Sequence, residues 1–143
     1  MRILVLNGPN LAKLGERESN HYGDLDYAQL KEFVEACADS LGLEVDVRQS
    51  DDEATLIGWI HEAVDSKTPV IFNPAAFTHY SVALRDACAM LQSPLIEVHL
   101  SNPLSREEFR HTSMISGVAT GTIAGFKADS YRLALIAMSS ILQ

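Results

Sequence analysis

The chain is poor in cysteine and positive charge and lacks long apolar runs, and each shortage removes a class of function. Two cysteines, Cys37 and Cys88, fall in segments patterned as helix, too few and too scattered for a disulfide framework or a thiolate metal site. They read as free buried thiols, which suits a cytoplasmic protein. Eleven Lys and Arg stand against nineteen Asp and Glu, a formal charge of −8, and there is no basic run. Such a chain is not expected to bind nucleic acid, and any anion site in it must be built locally from Arg and backbone N–H groups. No apolar run approaches the ~18 residues of a membrane-spanning helix. The apolar start, residues 1–6, is too short for a signal peptide and turns polar at once.

What is present is a repeated alternation of strand and helix patterns. A length of 143 residues with 47% hydrophobic content fits one domain with a substantial core. Residues 2–6 form a continuous aliphatic run, the mark of a strand buried on both faces in a parallel sheet. Residues 43–48 alternate apolar and polar, as an edge strand with one wet face does. Further strands are expected over 69–72, 95–100 and 118–124. Apolar residues at helical spacing predict helices over 26–41, 53–65 and 80–91, and a last one capped by Asp129 or Ser130. The segment 11–24 is polar and without clean period. It fits either a lid over a site, carrying Arg17 and Tyr22, or a solvated loop. Five strands in this alternation indicate a flavodoxin-like α/β fold, a single domain of three layers with sheet order 2-1-3-4-5 and a ligand crevice at the β1/β3 switch point.

The most informative stretch is PLIEVHLSNPLSREEFRH, residues 94–111. On a strand Glu97 and His99 share one face while Ile96, Val98 and Leu100 share the other. Glu97 and His99 could be a structural pair or an acid with its partner. Ser101-Asn102-Pro103 stops the strand, and Ser105-Arg106-Glu107-Glu108 fits a capping box that would open a short helix. Other strands end in similar chemistry: Asn7, Asn10, Arg17 and Tyr22 follow the first, Asn73 and His79 the third, and Ser101 and Arg110 the fourth. This set suits an anionic, hydroxyl-rich small molecule and proton transfer.

Several chemistries fit poorly. The first turn is NGPN, so phosphate-binding glycine loops are absent, and Asn stands where a phosphoacceptor domain needs Asp. An FMN site would want a Ser/Thr-rich loop there. No GxSxG elbow is present, and none of the four lysines lies in an apolar strand. Zinc is conceivable only through His79, His99 and Glu97, without the ligand spacing of known zinc motifs. Acid–base chemistry without metal, cofactor or covalent intermediate remains. A non-catalytic small-anion-binding or regulatory module on the same fold is the alternative.

Four blocks in register carry a more specific reading: NGPNL…LGERE…YG at 7–23, FNPAAFTHYSVALRDA at 72–87, IEVHLSN…REEFRH at 96–111 and YRLAL at 131–135. Together they resemble the type II 3-dehydroquinate dehydratases of the shikimate pathway. The resemblance implies dehydration of 3-dehydroquinate to 3-dehydroshikimate by anti elimination through an enolate, with no cofactor. It implies Tyr22 as base with Arg17 beside it, Asn10 holding a water at the enolate oxygen, and His99 as acid oriented by Glu97. It further implies that the backbone at Leu100 and Ser101 takes the substrate carboxylate, that Asn73, His79 and Arg110 bind ring hydroxyls or the carboxylate, and that Asp86 serves a neighbouring subunit in a dodecamer built from trimers. General chemistry suits these roles: a guanidinium within ~4–6 Å favours a phenolate, and histidine titrates near working pH. The chain departs from the usual family pattern at Ala12, Ser19 and Pro103-Leu104. It departs also at Ala75, where a Cβ replaces glycine beside the ring pocket, and over 126–130, which lacks the usual glycines.

Overall fold

Strand β1 (Arg2–Asn7) is apolar on both faces and sits inside the sheet. The computed structural model describes residues 2–143, and Met1, the first residue of the apolar start, lies outside them. Parallel pairing joins β1 to β2 (Glu44–Gln49) on one side and to β3 (Val70–Asn73) on the other. β4 (Leu95–His99) and β5 (Gly121–Ala124) follow, giving the order β2-β1-β3-β4-β5. Helices α1 (Ser19–Tyr22) and α2 (Tyr27–Ser40) lie between β1 and β2, α3 (Glu53–Ser66) and α4 (Val82–Ala89) between the next strands, and α5 (Asp129–Ile141) after β5.

Side-chain alternation sorts the core into two layers. Ile3, Val5, Ile71, Ile96 and Val98 face α2 and α5 and pack against Leu30, Val34, Leu135 and Met138. Leu4, Leu6, Val70, Phe72 and Leu95 face α3 and α4 and pack against Leu56, Ile60, Leu84 and Cys88. Each large aliphatic side chain so buried contributes about 1.5–3 kcal/mol. The result is the three-layer flavodoxin-like fold. Helix starts follow their caps: Asp26 and Gln29 form a reciprocal capping box at α2, and Asp52 accepts the Thr55 N–H at α3.

The crossovers after β1 and β3 leave in opposite directions, so the chain parts where Asn7 and Asn73 stand in register. Tyr131, fully buried on α5, bridges them. Its hydroxyl donates to Asn7 Oδ1 at 2.5 Å and accepts from Asn73 Nδ2 at 2.8 Å, while Asn73 Oδ1 accepts the Ala75 N–H at 3.0 Å. Burial pushes the Tyr131 hydroxyl well above its ordinary value, so it acts as a neutral donor. Ala75 has φ 54°, a left-handed backbone that costs a residue with a Cβ ~1–2 kcal/mol.

Five stretches differ from the expectation drawn from pattern. The segment 11–24 is helical in part, a 3₁₀ turn at Leu11–Glu16 followed by α1, because Leu11 and Leu14 are drawn into the core. The helix expected over 80–91 begins at Val82, since the backbone at Ser81 is extended and the Ser81 hydroxyl caps the helix by accepting the Leu84 N–H. The capping box at Ser105 does not form: Pro103 opens a 3₁₀ turn capped by Asn102, and Arg106 is extended before a second turn at Glu108–Arg110. β5 starts at Gly121 rather than at 118, because Ser113 Oγ takes the N–H groups of Ile115 and Ser116 and curls that segment into a turn. Neither Asp129 nor Ser130 caps α5; Ser130 Oγ accepts the Phe126 N–H instead.

Replacing Tyr131 by Phe keeps the ring but strands two buried amide groups. Tyr131→Phe should lower unfolding free energy by ~1–3 kcal/mol in a urea titration, and an unchanged midpoint would show that the bridge carries no net stability.

Candidate active site

Strand β4 delivers Glu97 and His99 to the carboxyl edge of the sheet, on one face as alternation requires. His99 Nε2 and Glu97 Oε2 are 2.5 Å apart. Glu97 has no exposed surface. Burial alone would push its carboxyl up. The hydrogen bond and charge of His99, with hydroxyl donors Ser116 and Thr78, outweigh burial and hold it at about 2. Glu97 is therefore an anion, the proton in the pair sits on Nε2, and Nδ1 is the ring nitrogen left for a ligand.

A second pair enters from the other side of the same cleft. Arg17 follows the 3₁₀ turn Leu11–Glu16, and Tyr22 ends α1. Arg17 Nη2 donates to the Tyr22 hydroxyl at 2.6 Å, and its guanidinium carbon lies 3.7 Å from the Tyr22 ring centre. Asn10 reaches the cleft from a left-handed backbone with φ 71°, anchored by its N–H on Asp51. Leu100 and Ser101 line the cleft just past the end of β4, where backbone N–H groups leave the ladder.

The structure thus gathers Asn10, Arg17, Tyr22, Asn73, His79, His99, Leu100, Ser101 and Arg110 around one cleft. Glu97 stands behind His99, in a recess that it shares with Thr78 and Ser116. Asn73 spends one amide hydrogen on Tyr131 and has a second to offer. His79 bonds the Thr112 carbonyl through Nδ1. Burial, with the nearby charges of His99 and Arg110, pushes its imidazole below the ordinary value, so His79 is a neutral group. Arg110 is steered by Glu107 at 3.0 Å. Asp86 does not join them; it is exposed on α4. Among the described residues no three His, Cys, Asp or Glu side chains converge as metal ligands.

Sequence reasoning missed Arg106, which it read as part of a capping box. Arg106 lines the cleft, donates to Ser101 Oγ at 3.2 Å and lies 5.1 Å from the Tyr22 ring. Its Nε is buried without a hydrogen-bond partner, with Glu107 Oε1 3.8 Å away. Tyr22 is therefore flanked by two guanidinium groups. The available signal was the pair Arg106 and Arg110 just after a strand end. Ser113, Ser116 and Thr78 around Glu97 were missed as well, and no spacing marks them.

The geometry is one of paired proton donors and acceptors in a cationic cleft, and comparison with known proteins agrees with it. A curated 3-dehydroquinate dehydratase from Salinispora tropica is 57% identical over 94% of both chains. One from Mycobacteroides abscessus is 59% identical over the same shares. The solved type II dehydroquinase from Propionibacterium acnes superposes with a TM-score of 0.95 at 50% identity, covering 97% of this chain and 96% of that one. The family model described as dehydroquinase class II matches residues 1–139, and the chain belongs to that family.

Proposed function

We propose that this protein dehydrates 3-dehydroquinate to 3-dehydroshikimate by anti elimination through an enolate, in the shikimate route to aromatic compounds. The observation that carries the reading is the presence of two opposed pairs on one cleft, Arg17–Tyr22 at 2.6 Å and Glu97–His99 at 2.5 Å. An elimination through an enolate needs a base for one step and an acid for the next, and the two pairs supply one each. A non-catalytic anion-binding module would have use for the arginines but not for a buried carboxylate behind an imidazole.

In this reading the Tyr22 phenolate removes the proton beside the ketone. The guanidinium of Arg17, with that of Arg106 nearby, stabilises the phenolate. The electron pair moves onto the ketone oxygen, and Asn10 holds a water against the enolate so formed. The enolate then collapses: the ketone re-forms, the electron pair becomes the new C=C bond, and the C–O bond breaks as His99 gives its Nδ1 proton to the departing hydroxyl, which leaves as water. Glu97 keeps Nε2 protonated throughout, so Nδ1 is the nitrogen that cycles. The N–H groups of Leu100 and Ser101 receive the substrate carboxylate. Asn73, His79 and Arg110 bind ring hydroxyls or the carboxylate. No step calls on a metal or cofactor. Residues 1–143 act as one catalytic domain, and the segment 11–24 is its lid, since it brings both Arg17 and Tyr22.

Assembly as trimers joined into a dodecamer belongs to the same proposal, with Asp86 of one copy completing the cleft of another. Its support is that Asp86 lies outside its own chain's cleft, while Tyr80 and Val82 at the start of α4 and Leu104 and Phe109 near the cleft leave apolar surface open at 53–68% exposure. The free cysteines fit a cytoplasmic setting, and no described helix is long and apolar enough to cross a membrane.

Adding 3-dehydroquinate to the protein should produce the ultraviolet absorbance of a conjugated enone, and its absence at high enzyme concentration would end the reading. In that assay Tyr22→Phe should lose several orders of magnitude in turnover while still binding a substrate analogue. Arg17→Ala should also be slow, with Arg17→Lys rescuing only partly because an ammonium lacks the planar fork. His99→Ala should fall by at least ~10²–10⁴. Near-normal turnover in Tyr22→Phe or His99→Ala would take that residue out of the mechanism. Light scattering on active protein should give a mass near twelve chains; an active monomer would refute the assembly.

A further inference from the structure

The shell around Glu97 is closed by hydroxyl groups brought from two separate places in the chain, the turn after β3 and the turn before β5. Ser116 Oγ donates to Oε1 at 2.6 Å, and Thr78 Oγ1 donates to Oε2 at 2.6 Å. Ser113 Oγ lies 3.0 Å from Oε1 and 2.9 Å from Oε2 and bridges them. His99 Nε2 completes the set at 2.5 Å. A carboxylate has about four lone-pair sites, and these four donors fill them. Ser113 is held in place: its oxygen accepts the N–H groups of Ile115 at 3.1 Å and Ser116 at 3.0 Å, and Thr78 Oγ1, 3.0 Å away, spends its own proton on Oε2, so the bridging position between the two carboxylate oxygens falls to the Ser113 proton.

We propose that Ser116, Ser113 and Thr78 are positioning residues that keep the shared proton of the Glu97–His99 pair on the imidazole, and so fix Nδ1 as the nitrogen that works. The proposal rests on His99 being the acid. A carboxylate that already accepts three hydroxyl protons is a weaker base, and it draws less on the Nε2 proton. Taking one hydroxyl away frees a lone pair on a fully buried anion. The carboxylate then pulls harder on the imidazolium, the pair holds its working proton more tightly, and it becomes a weaker acid. Other charged or titratable groups face the pair: His79 from the 75–79 turn, Cys88 from α4, Arg106, Arg110 and His111 from the segment after β4, and Arg17 and Tyr22 from the lid. None of them donates to Glu97 among the described residues, so a hydroxyl deletion changes the shell and leaves the remaining charges in place.

The test is Ser116→Ala, with Ser116→Thr as the variant that restores a hydroxyl and Thr78→Val as an independent deletion on the other oxygen. Turnover of Ser116→Ala should fall by about tenfold with KM changed by less than about twofold. The alkaline limb of its pH profile, where the acid is lost, should move to higher pH by about half to one unit. Thr78→Val should move the same limb the same way, and Ser116→Thr should return it toward wild type. Nitrogen-15 NMR of the histidine rings reads the pair without turnover: in wild type Nε2 of His99 should stay protonated while Nδ1 titrates, and in the deletions the titration midpoint should rise. A folded Ser116→Ala or Thr78→Val with a wild-type alkaline limb and midpoint overturns the proposal, as does a shift that Ser116→Thr fails to reverse. Wild type that makes no enone would instead overturn the catalytic reading, and the NMR midpoints would still report on the shell.

Discussion

Keeping one carboxylate charged with no access to water is the constraint on which the site end of this molecule depends. Transferring such a group out of water costs several kcal/mol even after the protein relaxes, and only a full set of donors offsets it. Glu97 obtains its donors from β4 itself, from the turn after β3 and from the turn before β5. Those three segments must meet at hydrogen-bond distance for the anion to be tolerated. The requirement explains why the backbone at 113–118 departs from strand geometry, and why β4 can carry a glutamate in a position otherwise suited to an aliphatic residue.

The cleft also reconciles an acidic chain with an anionic ligand. A net charge of −8 repels anions at a distance, but Arg17, Arg106 and Arg110 stand together at the cleft. At physiological salt the far field is screened within about 8 Å, while the local guanidinium groups act at contact distance. In the proposed reading, selection of the substrate carboxylate is thus left to short-range geometry. Planar forks and backbone N–H groups serve that better than bulk charge does.

The parts that could be read from the chain alone are those governed by local repetition. Ile3, Val5, Leu4 and Leu6 announce a doubly buried strand. The two-residue spacing of Glu97 and His99 forces them onto one face, and the Asn that ends both β1 and β3 marks the switch point. What the chain hid depends on distant partners. Leu11 and Leu14 look like scattered apolar residues in a loop until α2 and α5 supply a core for them. The SREE signal at 105–108 is sound chemistry for a helix start, but Pro103 and Asn102 two and three residues earlier claim the turn. Ser113 and Ser116 look like any polar pair, because their partner Glu97 lies 16 and 19 residues back. Arg106 gains meaning only from its position over Tyr22.

The bridge through Tyr131 bears on the order in which the molecule is completed. Tyr131 lies 124 residues from Asn7 and 58 from Asn73, so the contact that joins the two strand ends has a large separation along the chain. Contacts of that kind carry the greatest loop-closure cost and are made when most of the chain is already in place. On a ribosome, where residues emerge in sequence, β1 and β3 are both available long before α5. A nascent chain can therefore pair its central strands early, with Asn73 held only by the Ala75 N–H, while the Tyr131 bridge waits for α5 to dock. Until α5 docks, Asn7 and Asn73 lack their shared partner, so the crevice is completed in one late step instead of growing with the sheet.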